Sequence, residues 1–433
     1  MGSAISSSFG PFIQSLSSIG PMLNIIGLFS IIAAIDYRDL FYIVIIAFAF
    51  SAFNIYMPYR ASSLIRSNGG YYAVTGLMSG KRAGVATAYL YLIYGFSTLP
   101  SITLFLMSFA SFFMNSFYVE MLIPVFYTSI ALYAVSKGVG RSINIMKALD
   151  IIEIAFIIAL DGFMLAHPEG HVPGPNEINF AGGSLWSGLL FGMLMFAGVG
   201  SAFFITENTK DGRKRVPLGI LTAFIVSGIL MSLSAYAVQS FLGEKMISYS
   251  LNPYIIVDYL RSSAGSIVYY AFIFFSVSSA FNLTIGYLNS FRNAVVRMSL
   301  DNIFEIDMRR FYALIFALNL AISWGFYLTL GVFYGFIIVS GIVSSMYLTV
   351  HLISTVALSR HEISSRRNRY MAILSASFLI LAVTLVYSII ADATSDIMID
   401  LIYLAGVILV SISILFHFKG KALERVKFGG DEA

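Results

Sequence analysis

The sequence contains no cysteine, which excludes disulfides and thiolate metal centres. Charge is scarce too. Only 11% of the 433 residues are Asp, Glu, Lys or Arg, against about 25% in soluble domains. Hydrophobic residues make up 58%, and mean hydropathy is +0.85. No polar stretch is long enough to fold as a separate soluble domain. The N-terminus lacks the basic region of a cleaved signal peptide, since the first Lys or Arg is Arg38. These absences leave a polytopic protein of the lipid bilayer. The pI near 9.0 does not point to nucleic acid, because the basic residues sit in short loops rather than in one patch.

What is present is a series of apolar segments. At about 20 apolar residues per crossing, twelve spans are expected. They fall at 9–35, 39–64, 82–113, 118–136, 141–165, 186–208, 216–242, 265–297, 311–330, 331–358, 370–391 and 397–418. The ninth and tenth run together through Leu330-Gly331. The polar stretch from His167 to Ser184, with Pro168, Pro173 and Pro175, reads as an external loop between two halves. With both termini in the cytoplasm, only Arg38, Lys245 and Arg261 lie outside, and the other 23 of the 26 Lys and Arg lie inside. That is a positive-inside signal for a multi-pass protein of the cell membrane.

Two spans are interrupted. The stretch from Phe191 to Lys210 begins as a hydrophobic helix, yet Ala197-Gly198-Val199-Gly200-Ser201 sits in its middle, and glycine disfavours helix. Gly188 and Gly192, four apart, suit close helix packing. In the first span, Ser17-Ser18-Ile19-Gly20 precedes Pro21. Serine and glycine suit an N-cap and proline the first helical position, so a fresh helix is expected to start inside the membrane. Its N–H groups near Met22 and Leu23 would face an anion. A plain proline kink is the alternative. Ser201 is expected to cap the second half of the sixth span in the same way. Paired interruptions of opposite direction point to an inverted-repeat transporter, and unwound backbone at this depth must line a cavity.

Several motifs carry a family resemblance. Gly69-Gly70-Tyr71-Tyr72 precedes the third span, and Gly138-Val139 opens the fifth. Phe196-Ala-Gly198 is followed by Glu207-Asn-Thr-Lys-Asp-Gly-Arg-Lys-Arg-Val-Pro217. Together these resemble the amino acid–polyamine–organocation (APC) superfamily, amino acid permease-like, over nearly the whole chain. Gly200 stands where many members carry Glu, and Asn208 replaces a second Glu. The resemblance implies an all-α polytopic membrane protein of the five-plus-five inverted-repeat (LeuT-like) fold. Residues 9–165 and 186–358 would form the repeats, and 370–418 two further C-terminal helices. It also implies secondary transport of an amino acid or related small carboxylate by alternating access. The substrate would lie at Ser17, Ser18, Ile19, Gly20, Met22, Phe196, Ala197, Gly198 and Gly200, with Tyr91 or Tyr94 as a lid. The run Gly76 to Gly84 faintly resembles the second-loop motif of major facilitator transporters, but Gly80 replaces its acidic residue.

Intramembrane charges supply the coupling candidates. Glu153 lies near mid-span with no basic residue three or four positions away. Counted from Gly138-Val139, it falls where many proton-coupled relatives have a lysine. A carboxyl there is suited to take up and release a proton; a structural hydrogen bond to a neighbouring helix is the alternative. Asp150 follows Lys147 by three residues and reads as a local ion pair. Glu207 and His351 lie near the inner ends of their spans and read as snorkelling or gating groups. Ser278 and Ser279 resemble the second sodium site of sodium-coupled relatives, although such serines also bond back to helix carbonyls. Protons are favoured over sodium, with exchange without a coupling ion as a further alternative. No His-Glu-x-x-His, Gly-x-Ser-x-Gly or paired catalytic aspartates at the right depth appear. An enzyme is therefore not expected, nor any cofactor; a passive channel is the other competing class.

Overall fold

Helices follow the apolar runs, and both predicted interruptions are present. The computed structural model describes residues 9–114, 116–178, 183–252, 254–392, 405–414 and 422–429. Helix α1 (Gly10–Ser17) ends at Ser18. Gly20 then takes a left-handed conformation at φ 62°, which glycine adopts at little cost. Pro21 opens α2 (Pro21–Leu23), which continues through a π-helical turn (Asn24–Leu28) into α3 (Phe29–Asp36). In the sixth span α10 (Gly183–Leu194) stops before Phe196, and Ala197–Ile205 winds as a tighter 3-10 helix.

The capping expectation is corrected at both breaks. Ser201 lies inside the 3-10 helix, and its hydroxyl donates to Gln14 O at 2.8 Å. Ser18 donates back to the same carbonyl at 2.7 Å, and the residue before Pro21 is Gly20, which has no side chain to cap with. The helix start is stabilised from elsewhere in the chain.

The remaining helices are α4 (Leu40–Asn54), α5 (Tyr56–Leu64), α6 (Tyr71–Ser79), α7 (Lys81–Phe113), α8 (Phe117–Ser136) and α9 (Val139–Ala166). Beyond the sixth span come α11 (Gly212–Leu242), α12 (Met246–Leu251), α13 (Ile255–Leu300), α14 (Met308–Thr329), α15 (Val332–Ser364) and α16 (Met371–Asp392). Short helices α17 (Ala405–Ile414) and α18 (Ala422–Arg425) follow. Among the described residues, nine helical segments are long and apolar enough to cross a membrane. Helix α9 is 28 residues long and carries three acids, Asp150, Glu153 and Asp161. The eighth span exceeds its predicted 265–297, running through a kink at Gly265. Gly331 separates the ninth span from the tenth. Apart from α17, the predicted twelfth span at 397–418 lies outside the described residues, as do Lys419 and Lys421.

The broken spans occupy the centre. Their apolar stretches are 89% buried, against 22% for the peripheral α14. Gly188 and Gly192 bring α10 onto Ile43 and Ala47 of α4, where an added Cβ would stand 2.7 and 2.8 Å from those side chains. Contacts between loops sort by predicted side. Arg60–Glu362 at 2.8 Å, Arg297–Glu207 at 3.1 Å and Lys427 N to Asp301 O at 3.0 Å join segments assigned inside. Tyr42 to Pro173 O at 2.6 Å and Glu169 N to Ser240 O at 3.0 Å join segments assigned outside. The C-terminal segment docks on the first of these faces. Val426 is fully buried, and the Phe428 ring fills a notch at Gly76 and Gly84 that a Cβ on either would obstruct.

Candidate transport site

The two breaks touch backbone to backbone. A Cβ on Gly198 would stand 1.8 Å from Ser18 O. Polar side chains take up the carbonyls that the breaks release, each of which would cost several kcal/mol if left bare in a bilayer. Asn24 Nδ2 donates to Ile19 O at 3.0 Å and to Met195 O at 3.2 Å, so one amide serves both breaks. Ser15 Oγ donates to Val199 O at 2.7 Å, and Ser290 Oγ to Ser201 O at 3.1 Å.

The N–H groups of the first break are also engaged. Ile19 N bonds Leu16 O at 3.0 Å and Gly20 N bonds Ser17 O at 3.1 Å. Met22 N donates to Glu153 Oε1 at 2.9 Å, and Leu23 N to Ser279 Oγ at 3.1 Å. The Met22 N–H does face an anion, but it is the protein's own carboxylate, and the Leu23 N–H meets the Ser279 hydroxyl. That corrects the expectation of a free anion site at Met22 and Leu23.

Around Glu153 the structure builds two rungs between α9 and α13. In the first, Ser279 Oγ donates to Glu153 Oε1 at 2.6 Å. In the second, Asn282 Nδ2 donates to Asp150 Oδ1 at 2.9 Å and Ser17 Oγ to Asp150 Oδ2 at 2.5 Å. Each rung reaches one side of the first break, Ser17 before it and Met22 after it. Asp150 and Glu153 are 2% and 1% exposed, and neither joins an ion pair among the described residues. The local Asp150–Lys147 pair is therefore not formed; Lys147 is exposed and Asp150 faces inward. Glu153 Oε2 has no hydrogen-bond partner. Of the two serines, Ser279 donates to Glu153 while Ser278 Oγ has no hydrogen-bond partner among the described residues. Sequence reasoning passed over Asp161, which is fully buried and accepts from Ser234 Oγ at 2.8 Å; a third acid in an apolar span was the available signal.

Beside the breaks lies a cavity of about 90 Å³. Ser18, Ile19, Ala197, Gly198, Gly200, Tyr91 and Tyr94 line it, and among the described residues no Asp, Glu, Lys or Arg does. Ser17, Gly20 and Met22 are not in its wall, and Phe196 lines a smaller adjoining space of about 10 Å³. Tyr71, Tyr347 and His351, not predicted to belong here, do line the main cavity. His351 is 2% exposed and packs between the rings of Tyr347 at 4.2 Å and Tyr71 at 4.5 Å. It is neither snorkelling nor at a helix end.

Below the cavity, on the face bearing the C-terminal segment, a polar network closes the structure. Glu207 Oε1 accepts from Asn68 N at 3.0 Å and from Arg297 Nη1 at 3.1 Å. Arg297 Nε reaches Asp301 Oδ1 at 3.0 Å, and Tyr72 donates to Asp301 Oδ2 at 3.0 Å. Burial holds the Asp301 carboxyl above its ordinary range despite the guanidinium beside it. Glu207 is thus a bridging residue at the end of the sixth span.

No family model matches the sequence, and no curated protein matches it. Solved structures do share its fold. A manganese transporter of Eremococcus coleocola, in complex with an aromatic bis-isothiourea substituted compound, superposes with a TM-score of 0.54 at 12% identity, covering 96% of each chain. Mhp1, a nucleobase-cation-symport-1 family transporter in a closed conformation with bromovinylhydantoin bound, gives a TM-score of 0.54 at 15% identity, covering 98% of this chain and 94% of that one. At such identities the likeness is one of fold, and the APC resemblance still rests on the motifs alone. The chain is an all-helical polytopic membrane protein of the LeuT-like fold.

Proposed function

We propose that the protein is a secondary transporter that moves a small solute of no net charge by alternating access, coupled to protons through Glu153. The observation that carries this reading is the Glu153 carboxylate. It is buried, without a cationic partner among the described residues, and bonded to both the restarted first helix and α13. Protonation would weaken its hold on Met22 N and Ser279, which links proton occupancy to the geometry of the break. Support for transport also comes from the two neighbours, both described as transporters. The absence of charged side chains from the cavity lining disfavours a net anion or a polyamine. A zwitterionic amino acid, the substrate the motifs imply, remains within the class. A cell-membrane location with cytoplasmic termini is part of this reading, and the charge asymmetry supports that orientation.

The test is uptake into proteoliposomes under an imposed pH or sodium gradient. Accumulation driven by an inward proton gradient supports the reading. Accumulation driven by sodium alone, unchanged in Glu153→Gln, overturns the coupling assignment. Counterflow indifferent to both gradients marks an exchanger or uniporter.

A further inference from the structure

The cavity holds an unmet hydrogen-bonding demand at one end. Among the described residues, both ring nitrogens of His351 lack a hydrogen-bond partner, and so does the Tyr71 hydroxyl. His351 is 2% exposed and Tyr71 4%. Leaving such groups unpaired costs about 1–3 kcal/mol each, so at a cavity wall they favour a ligand that can bond them. The two rings lie side by side at 4.5 Å. The Tyr71 hydroxyl presses on the sixth-span break, since a Cβ on Gly200 would stand 2.0 Å from it. His351 and Gly200 also border the smaller space behind, so the imidazole forms a partition between the two cavities.

We infer that His351 and Tyr71 are the specificity-determining pair of this site, and that they read a donor–acceptor edge of the amide, imide or urea type on a small uncharged solute. This rests on the proposed transport site and narrows its substrate class. An uncharged imidazole presents one donor and one acceptor, and a tyrosine hydroxyl can serve as either. An amide edge presents the complementary pair and satisfies both residues at once. A carboxylate offers acceptors only and would leave the imidazole acceptor unmet. A quaternary ammonium could lie against the Tyr91, Tyr94 and Tyr347 rings, but it would bond none of the orphaned atoms.

The experiment is a thermal-shift and equilibrium-binding titration of the purified full chain with acetamide, succinimide and uracil. Acetate, glycine and tetramethylammonium serve as contrasts. His351→Phe keeps a ring of similar size without hydrogen bonds, and His351→Gln restores one donor and one acceptor. At least one amide or imide probe should bind wild type. Its affinity should fall about tenfold in His351→Phe and in Tyr71→Phe, about 1.4 kcal/mol, and recover in His351→Gln. Binding by acetate, glycine or tetramethylammonium in preference to the amides overturns the inference. So does binding that His351→Phe leaves unchanged, or no binding by any amide probe. Counterflow of the amide or imide probe that binds separates the two claims. Counterflow indifferent to His351→Phe sinks the specificity assignment and leaves transport standing. Probe binding that depends on His351 without any counterflow sinks transport and leaves the binding site.

Discussion

Met22 N donates to Glu153 Oε1 at 2.9 Å, so a carboxylate on α9 caps the restarted half of the first span. A capping acid normally comes from the residue just before the helix; here it comes from 131 positions away. The same oxygen accepts from Ser279 on α13. One titratable atom therefore holds three segments together, and neutralising it loosens all three.

Glu153→Gln removes the charge and keeps an oxygen able to accept from Met22 N. The variant should insert and perform counterflow, yet fail to accumulate solute under an inward proton gradient. Proteoliposome uptake with and without the gradient is the measurement. Retained proton-driven accumulation would show that the coupling proton rides elsewhere.

Gly198→Leu should abolish transport, because the first added carbon would already stand 1.8 Å from Ser18 O. The backbones must separate, which displaces the cavity wall. Gly162→Ala is the control. It lies on the exposed face of α9 with nothing within 4 Å of an added Cβ, and its stability should change by no more than about 1 kcal/mol. Thermal inactivation and counterflow measured side by side separate the two. A functional Gly198→Leu would mean that the breaks do not meet in the working protein.

The breaks were legible because their causes are local. Gly20 before Pro21, and the glycines from 198 to 200, advertise themselves within a few residues. The positions of Ser18, Ile19, Gly198 and Gly200 at the cavity follow from that. What was not legible is pairing across distance. Asp150 has Lys147 one turn away, yet it bonds Ser17 and Asn282, more than 130 positions off. An exposed lysine gains more from water than from a buried partner, and periodicity does not reveal which face of α9 turns inward. Asn24 was missed for a similar reason. A polar residue in an apolar span signals a contact without naming it, and here the contact is two carbonyls freed by two separate breaks. Counting puts His351 near a helix end; the helix runs on to Ser364, which leaves the imidazole at cavity depth.

Arg60 and Glu362 form a bridge at 2.8 Å in which the carboxylate is fully buried. Removing one partner of a buried pair strands the other charge, at about 3–5 kcal/mol. Arg60→Met should therefore lower thermal stability strongly, and adding Glu362→Leu should recover most of the loss. A single variant as stable as wild type would mean that water reaches Glu362.

Sidedness follows from which loops take a label. In a chain without cysteine, single cysteines report the side of the membrane cleanly. Gly170 and Gly80 lie in suitable loops but are poor hosts. A Cβ on Gly170 would stand 2.5 Å from Gly243 Cα, and Gly80 sits at φ 96°, where a cysteine is strained. Asn176 and Ser365 are exposed with ordinary backbone angles and belong to loops on opposite predicted sides. In intact cells, Asn176→Cys should react with an impermeant maleimide, and Ser365→Cys only after permeabilisation. The charge asymmetry predicts this direction, and the loop contacts require that the two sites differ whichever way the protein inserts. Labelling of both from one side would refute the span count between them. Labelling with the sides exchanged would keep the fold, invert the orientation, and reverse the direction of the proton gradient needed in the uptake assay.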